Sequence, residues 1–266
     1  MCGRFSLFAP PDDVTARFDA DFAFEYEPRY NAAPGQALPV IADEAPDTIR
    51  RMEWGLVPGW AENRSDFEFI NARAETVAEK RSFAGAYEQR RHRERDDEGG
   101  EAPTAGRCLV PADGFYEWTE RAGGNQPYRV TVGDDELFAM AGLWERWEPP
   151  RVQTGLADFG GAGGSGGAGE PGSERVPGVD PDPDPVETFT VITTEPNDVV
   201  GDLHDRMAVV LEPDEEEAWL RGDPGEVRDL LDPYPAEQMR AYPVSTAVSD
   251  PANDSPAVVE EVDVGT

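Results

Sequence analysis

Apolar residues recur along the chain in short runs with period-two alternation, broken every few residues by glycine, proline or aspartate, which predicts strands rather than long helices. Residues 38–42 and 50–54 predict two strands, the second ending at Gly55. Residues 107–110, 115–118, 128–132 and 137–143 predict four more, separated by turn residues such as Gly123-Gly124 and Gly133-Asp134. Residues 189–193 and 208–211 complete the set. Residues 11–18 predict a short helix with Asp12 and Asp13 in its first turn, where the helix dipole favours negative charge. Residues 213–220 and 225–231 also read as helices.

Two segments interrupt this pattern. Residues 91–106 (RHRERDDEGGEAPTAG) are charged and then rich in glycine, alanine and proline, while residues 149–185 contain GGAGGSGGAGEPG and DPDPDP. Such sequences bury almost no apolar surface and are expected to be disordered insertions. The strand groups between them are too small to stand alone, so the chain is expected to form one β-rich α+β domain over residues 1–248. Residues 249–266 follow as an acidic tail.

Composition adds an extreme charge. The 266 residues carry 23 basic and 55 acidic side chains, a net of −32, and Lys80 is the one lysine. An acidic, lysine-poor surface suits high intracellular salt, as in a halophilic organism, because salt screens the self-repulsion. It argues against a generic nucleic-acid binder, which usually shows a basic footprint. The excess is uneven, however: residues 1–95 have a net of −4 and residues 96–266 a net of −28. No apolar run is long enough to span a membrane and no signal peptide is evident, so a cytoplasmic protein is expected. Cys2 and Cys108 make neither a disulfide framework nor a zinc cluster, and no metal or cofactor is expected. A monomer is the expected state.

Candidate chemistry begins at Cys2. Loss of Met1 would leave its thiol beside a free α-amine, and such groups titrate near ~8.5 and ~8, so both are partly nucleophilic near neutrality. A 1,2-aminothiol attacks an aldehyde twice, the amine giving a Schiff base and the sulfur closing a thiazolidine. His204 stands before an apolar strand and suits proton transfer near pH 7, although a structural histidine would look the same. Glu117 should share a strand face with Phe115, opposite Tyr116 and Trp118, and a carboxyl among aromatics is held back from ionising. Asn71 and Arg73 form part of a polar cluster that fits either a sugar and phosphate contact or an ordinary loop.

The set as a whole is more specific than its parts. In order along the chain stand Met1-Cys2-Gly3-Arg4-Phe5, Tyr30-Asn31-Ala32-Ala33-Pro34-Gly35, Trp54-Gly55-Leu56-Val57-Pro58-Gly59-Trp60 and Asn71-Ala72-Arg73-Ala74-Glu75-Thr76. Residues 107–118 (RCLVPADGFYEW), His204-Asp205-Arg206-Met207 and Pro243-Val244-Ser245 follow. This series resembles the SOS response-associated peptidase (SRAP) family. The resemblance implies a β-rich fold with a positively lined groove for single-stranded DNA that contains abasic sites. It makes Cys2, after autoproteolytic loss of Met1, the nucleophile that crosslinks to the ring-opened sugar in the DNA-damage response. Asn71, Glu117 and His204 become its polar partners, with Glu117 and His204 moving protons. Arg4, Arg73 and Arg206 would hold phosphates, Trp60 would stack on a base, and Thr193 would line the groove. The activity implied is a thiol-dependent peptidase or lyase. A thiol peptidase acting on other proteins and a non-catalytic module that reads modified DNA stay open beside it. Two positions depart from the family pattern: Ala208 where proline is usual, and Glu195-Pro196-Asn197 after the threonine pair.

Overall fold

The alternating runs become two antiparallel-rich sheets. In a computed structural model, which describes residues 2–88, 104–121, 124–133, 136–149 and 185–264, the strands are β1 (Phe5–Leu7), β2 (Asp21–Phe22), β3 (Arg29–Ala32), β4 (Ala37–Ala42), β5 (Thr48–Trp54), β6 (Asn71–Arg73) and β7 (Ala105–Ala112). They continue with β8 (Gly114–Arg121), β9 (Gly124–Val132), β10 (Phe138–Trp147), β11 (Val186–Thr194), β12 (Met207–Ala208), β13 (Val210–Leu211) and β14 (Met239–Pro243). One sheet runs β14-β9-β8-β1-β3. The other runs β12-β11-β10-β7-β4-β5-β2, with β13 on β10 and β6 on β11. A parallel pairing of β11 with β5, Thr188 opposite Glu53, closes β11, β10, β7, β4 and β5 into a ring. The α+β, strand-rich class read from the alternation is the class observed.

Closure removes exposed strand edges and gives the ring an inside. Two apolar clusters fill the layers. One gathers Cys2, Phe5, Trp54, Phe115, Trp144 and Phe189, the other Val14, Ile49, Phe83, Leu143, Ile192 and Trp219. Gly142 on β10 is required by the closeness of its neighbours: a Cβ there would lie 2.9 Å from both Cys108 Sγ and the Thr190 carbonyl.

Four of the elements read from the sequence take a different form. Residues 105 and 106, read as insertion, begin β7 opposite Glu145 and Trp144. Their small size is structural, since a Cβ on Gly106 would collide with the Asp43 carboxylate, which accepts from Trp144 Nε1 at 2.9 Å. The run 208–211 splits at Val209, because Ala208 pairs with β11 whereas Val210 and Leu211 pair with β10. The helix read over 225–231 is a 3-10 turn at Val227–Leu231, and the one at 213–220 is α-helical over Glu216–Arg221.

The acidic residues beyond Ser249 are docked onto the fold. Asp254 accepts from the backbone N–H groups of Tyr30 and Asn31 at 2.6 and 3.0 Å and from Arg29 Nη1 at 3.1 Å, and Val258 is buried against Tyr242. Apart from residues 104–106, 149 and 185, the two expected insertions lie outside the described residues. No described helix is long and apolar enough to cross a membrane.

Candidate active site

Strand β1 sets the place of Cys2. It is inserted between β3 and β8, with Phe5 opposite both Ala32 and Phe115, and the Tyr116 N–H donates to the Arg4 carbonyl at 2.9 Å. Carried back along the antiparallel register, residue 2 comes alongside residues 117 and 118. Cys2 is fully buried, and its Sγ lies 3.9 Å from the Arg4 carbonyl, a weak contact. Phe115 and Glu117 fall on one face of β8 and Tyr116 and Trp118 on the other, as the alternation predicts. Phe115 joins the cluster that holds Cys2, whereas Tyr116 packs with Tyr242, Val244 and Val248.

Burial governs the ionisation of this site. Glu117 is 1% exposed, and desolvation raises its carboxyl to about 7, with the negative charge of Asp205 pushing the same way. The Cys2 thiol is pushed up by burial first and by the Glu117 charge second, so it rests as a neutral thiol. Cys2 and Glu117 therefore feel each other, and Glu117 feels the loop that carries His204.

Asn71 reaches the same place from β6, which lies parallel to β11 with Asn71 opposite Val191. Its Nδ2 donates to the Cys2 carbonyl at 3.0 Å. Its Oδ1 is buried and has no hydrogen-bond partner among the described residues. His204 arrives from the opposite side of β11. Thr193 on that strand is flanked by Arg73 of β6 and Ala208 of β12, so the end of β11 brings the Asn71 strand and the His204 loop together. The loop is launched by Asn197, whose Oδ1 accepts from Val199 and Val200 N–H at 3.1 and 3.0 Å and caps the short helix Asp198–Gly201. One of the two departures from the family pattern thus carries a cap. No feature of the structure explains Ala208.

The His204 ring has a defined tautomer. Its Nδ1 accepts the Arg206 backbone N–H at 3.0 Å, so the ring proton belongs on Nε2. The Asp205 carboxylate also lies 3.0 Å from Nδ1, which would favour a charged ring, yet burial dominates and lowers the imidazole below its ordinary value. An Nδ1 that already accepts a hydrogen bond cannot donate to a carboxylate, so the neutral ring is the consistent state.

The remaining nominated residues are placed as follows. Arg73 is exposed. Arg4 is engaged internally, its Nη1 donating to Asn31 Oδ1 at 2.8 Å and to the Val248 carbonyl at 2.7 Å. Arg206 pairs with Glu75 through both Nη atoms and donates to the Thr193 carbonyl at 2.6 Å. Thr193 is buried, its hydroxyl 3.4 Å from the Ala72 carbonyl, and it offers no surface. Trp60 packs edge-on against Phe67 at 5.0 Å, with the Arg81 guanidinium 4.2 Å over its ring. The structure thus gathers Cys2, Asn71, Glu117 and His204, and leaves Arg73, one of the three arginines, exposed. Asp205 and Glu75, to which the sequence reading gives no role, act on this site through Glu117 and Arg206. Their adjacency to the His204 and Asn71 motifs was the available signal. Clefts of about 350, 270 and 390 Å³ open elsewhere, and none is lined by the four gathered residues. Their linings hold carboxylates and arginines but no cysteine or histidine, so the chemistry points to the Cys2 site instead.

Comparison with known proteins gives the family. A family profile for SOS response associated peptidase (SRAP) matches residues 1–92 and 100–251. The chain is 35% identical over 269 residues to the abasic site processing protein YoqW of Bacillus subtilis, covering 98% of this chain and 99% of that one. It is 29% identical to the abasic site processing protein HMCES of Gallus gallus, covering 90% and 68%. A crystal structure of a Bacteroides thetaiotaomicron protein superposes with a TM-score of 0.73 at 24% identity, covering 98% of this chain and all of that one, which shows a shared fold. With a matching profile over most of its length and a relative of this similarity along almost all of it, the chain belongs to the SRAP family.

Proposed function

We propose that this protein processes abasic sites in DNA, and that it does so by bonding Cys2 covalently to the ring-opened sugar in single-stranded DNA. The relatives' names support the substrate. The observation that carries the chemistry is the meeting of the Cys2 thiol with Glu117, a carboxyl that keeps its proton to about pH 7.

The steps balance as follows. Loss of Met1 frees the Cys2 α-amine, which adds to the C1′ aldehyde to give a carbinolamine. Glu117 donates its proton to the hydroxyl, water leaves, and an iminium remains. Cys2 Sγ adds to the iminium carbon, the C=N electron pair moves to nitrogen, and the thiol proton returns to the Glu117 carboxylate. The product is a thiazolidine, with one water lost overall. A thiol that stays neutral until it meets an iminium fits this order, because the amine acts first. The unpartnered Asn71 Oδ1 suits an incoming N–H or O–H, and a neutral His204 with its proton on Nε2 suits the reverse transfer. Exposed Arg73 suits a backbone phosphate.

The family description favours a second reading, cleavage of peptide bonds in other proteins. A buried, neutral thiol is a poor nucleophile for an unactivated amide. The Met1–Cys2 bond is joined to the thiol's own residue, so proximity offsets that weakness there and not for a foreign peptide. The discriminating experiment mixes the protein with abasic single-stranded DNA, with intact DNA, and with a generic peptide. An adduct that survives denaturing electrophoresis, forms only on abasic DNA and vanishes in Cys2→Ala is expected. Peptide cleavage without an adduct, or an adduct indifferent to Cys2→Ala, overturns the reading.

A further inference from the structure

We infer that Glu75 is a positioning residue that fixes the His204 ring by way of Arg206. Glu75 stands in the 3-10 turn Ala74–Thr76, directly after the strand that presents Asn71. Its two carboxylate oxygens accept from the two Nη atoms of Arg206. The same guanidinium donates to the Thr193 carbonyl at the end of β11, and the Arg206 side chain is 13% exposed. Arg206 is held at its tip by two elements, and its own backbone N–H donates to His204 Nδ1 at 3.0 Å. A continuous path therefore runs from the Asn71 strand, through Glu75 and Arg206, to the tautomer of His204.

Stability alone gives no reason for this pair. The Glu75 side chain is 48% exposed, and a pair so wetted contributes little to folding. A planar guanidinium gripped at both ends contributes direction instead.

The inference rests on the covalent reading only for its rate measurement. The test compares wild type, Glu75→Ala and Glu75→Gln as full chains, first without DNA, by nitrogen NMR of the histidines. The His204 signals are identified by their loss in His204→Gln. Wild type is expected to show an unprotonated Nδ1 and a protonated Nε2, and both Glu75 variants a mixture of tautomers at an unchanged melting temperature. With abasic single-stranded DNA, the variants should crosslink about tenfold more slowly, the scale of loss when an orienting partner is removed. An unaltered His204 tautomer in both variants overturns the inference, whatever the rate does. Failure of wild type to crosslink overturns the proposed function but leaves the NMR comparison decisive for Glu75.

Discussion

At position 117 a carboxyl group is held where its charge is poorly solvated, and this one residue gives the site its pH dependence. The folded state keeps the Glu117 proton to about pH 7, whereas an ordinary glutamate loses it near 4.5. Between those values the folded chain binds more protons than the unfolded one, so this residue's contribution to stability falls as pH rises from 4.5 to about 7. Glu117→Gln should flatten that part of the melting profile and leave the protein more stable at pH 8 than wild type. The same substitution removes the general acid and should slow crosslinking at pH 6 by about 10²-fold. Wild-type crosslinking should itself decline as pH passes 7. A variant that keeps both the wild-type rate and the wild-type pH–stability slope would contradict this assignment. The meeting of Cys2, Asn71, Glu117 and His204 was legible only through the ordered series of motifs, since each residue alone also fits a structural role. The engagement of Arg4 and Arg206 was not legible, since nothing local to an arginine reveals that Val248 or Glu75 will fold against it.

At the scale of elements, long apolar runs announced their strands, and short polar ones did not. Strands β4, β5 and β7 to β11 were readable from alternation, as was the helix over Pro11–Phe18. Strands β1, β2, β3, β6 and β14 were missed, because each is brief and its pairing is decided by a distant partner. For β6 that partner is Val191–Thr193, more than a hundred residues away. The segment after Ser249 has the composition of a tail, yet Asp254 is the acceptor for three donors on or beside β3. Asp254→Ala leaves two backbone N–H groups without their acceptor and should cost about 2 kcal/mol. That is a melting temperature lower by roughly 5 °C for a domain of this size. Because β3 flanks β1, the loss should also reach Cys2 as a slower crosslinking rate. An unchanged melting temperature would show that the segment beyond Ser249 is dispensable.

For the whole molecule, charge is the dominant constraint. A net of −32 repels both itself and DNA, and at about 0.1 M salt the screening length is still near 10 Å. Raising salt to about 2 M should therefore raise the melting temperature while weakening reversible DNA binding. A melting temperature insensitive to salt would contradict this view. The proposed covalent capture would resolve the tension, since retention would then depend on a bond and not on phosphate contacts. Exposed Arg73, beside the internally engaged Arg4 and Arg206, fits the proposed phosphate contact.

Intact mass of the full chain, measured before and after incubation with an abasic single-stranded oligonucleotide, tests the central claim most directly. The free protein should lack the mass of Met1, and the product should weigh protein plus oligonucleotide minus one water. A protein that retains Met1 and still forms the adduct, or one that loses Met1 and gains nothing, would contradict the chemistry assigned to Cys2.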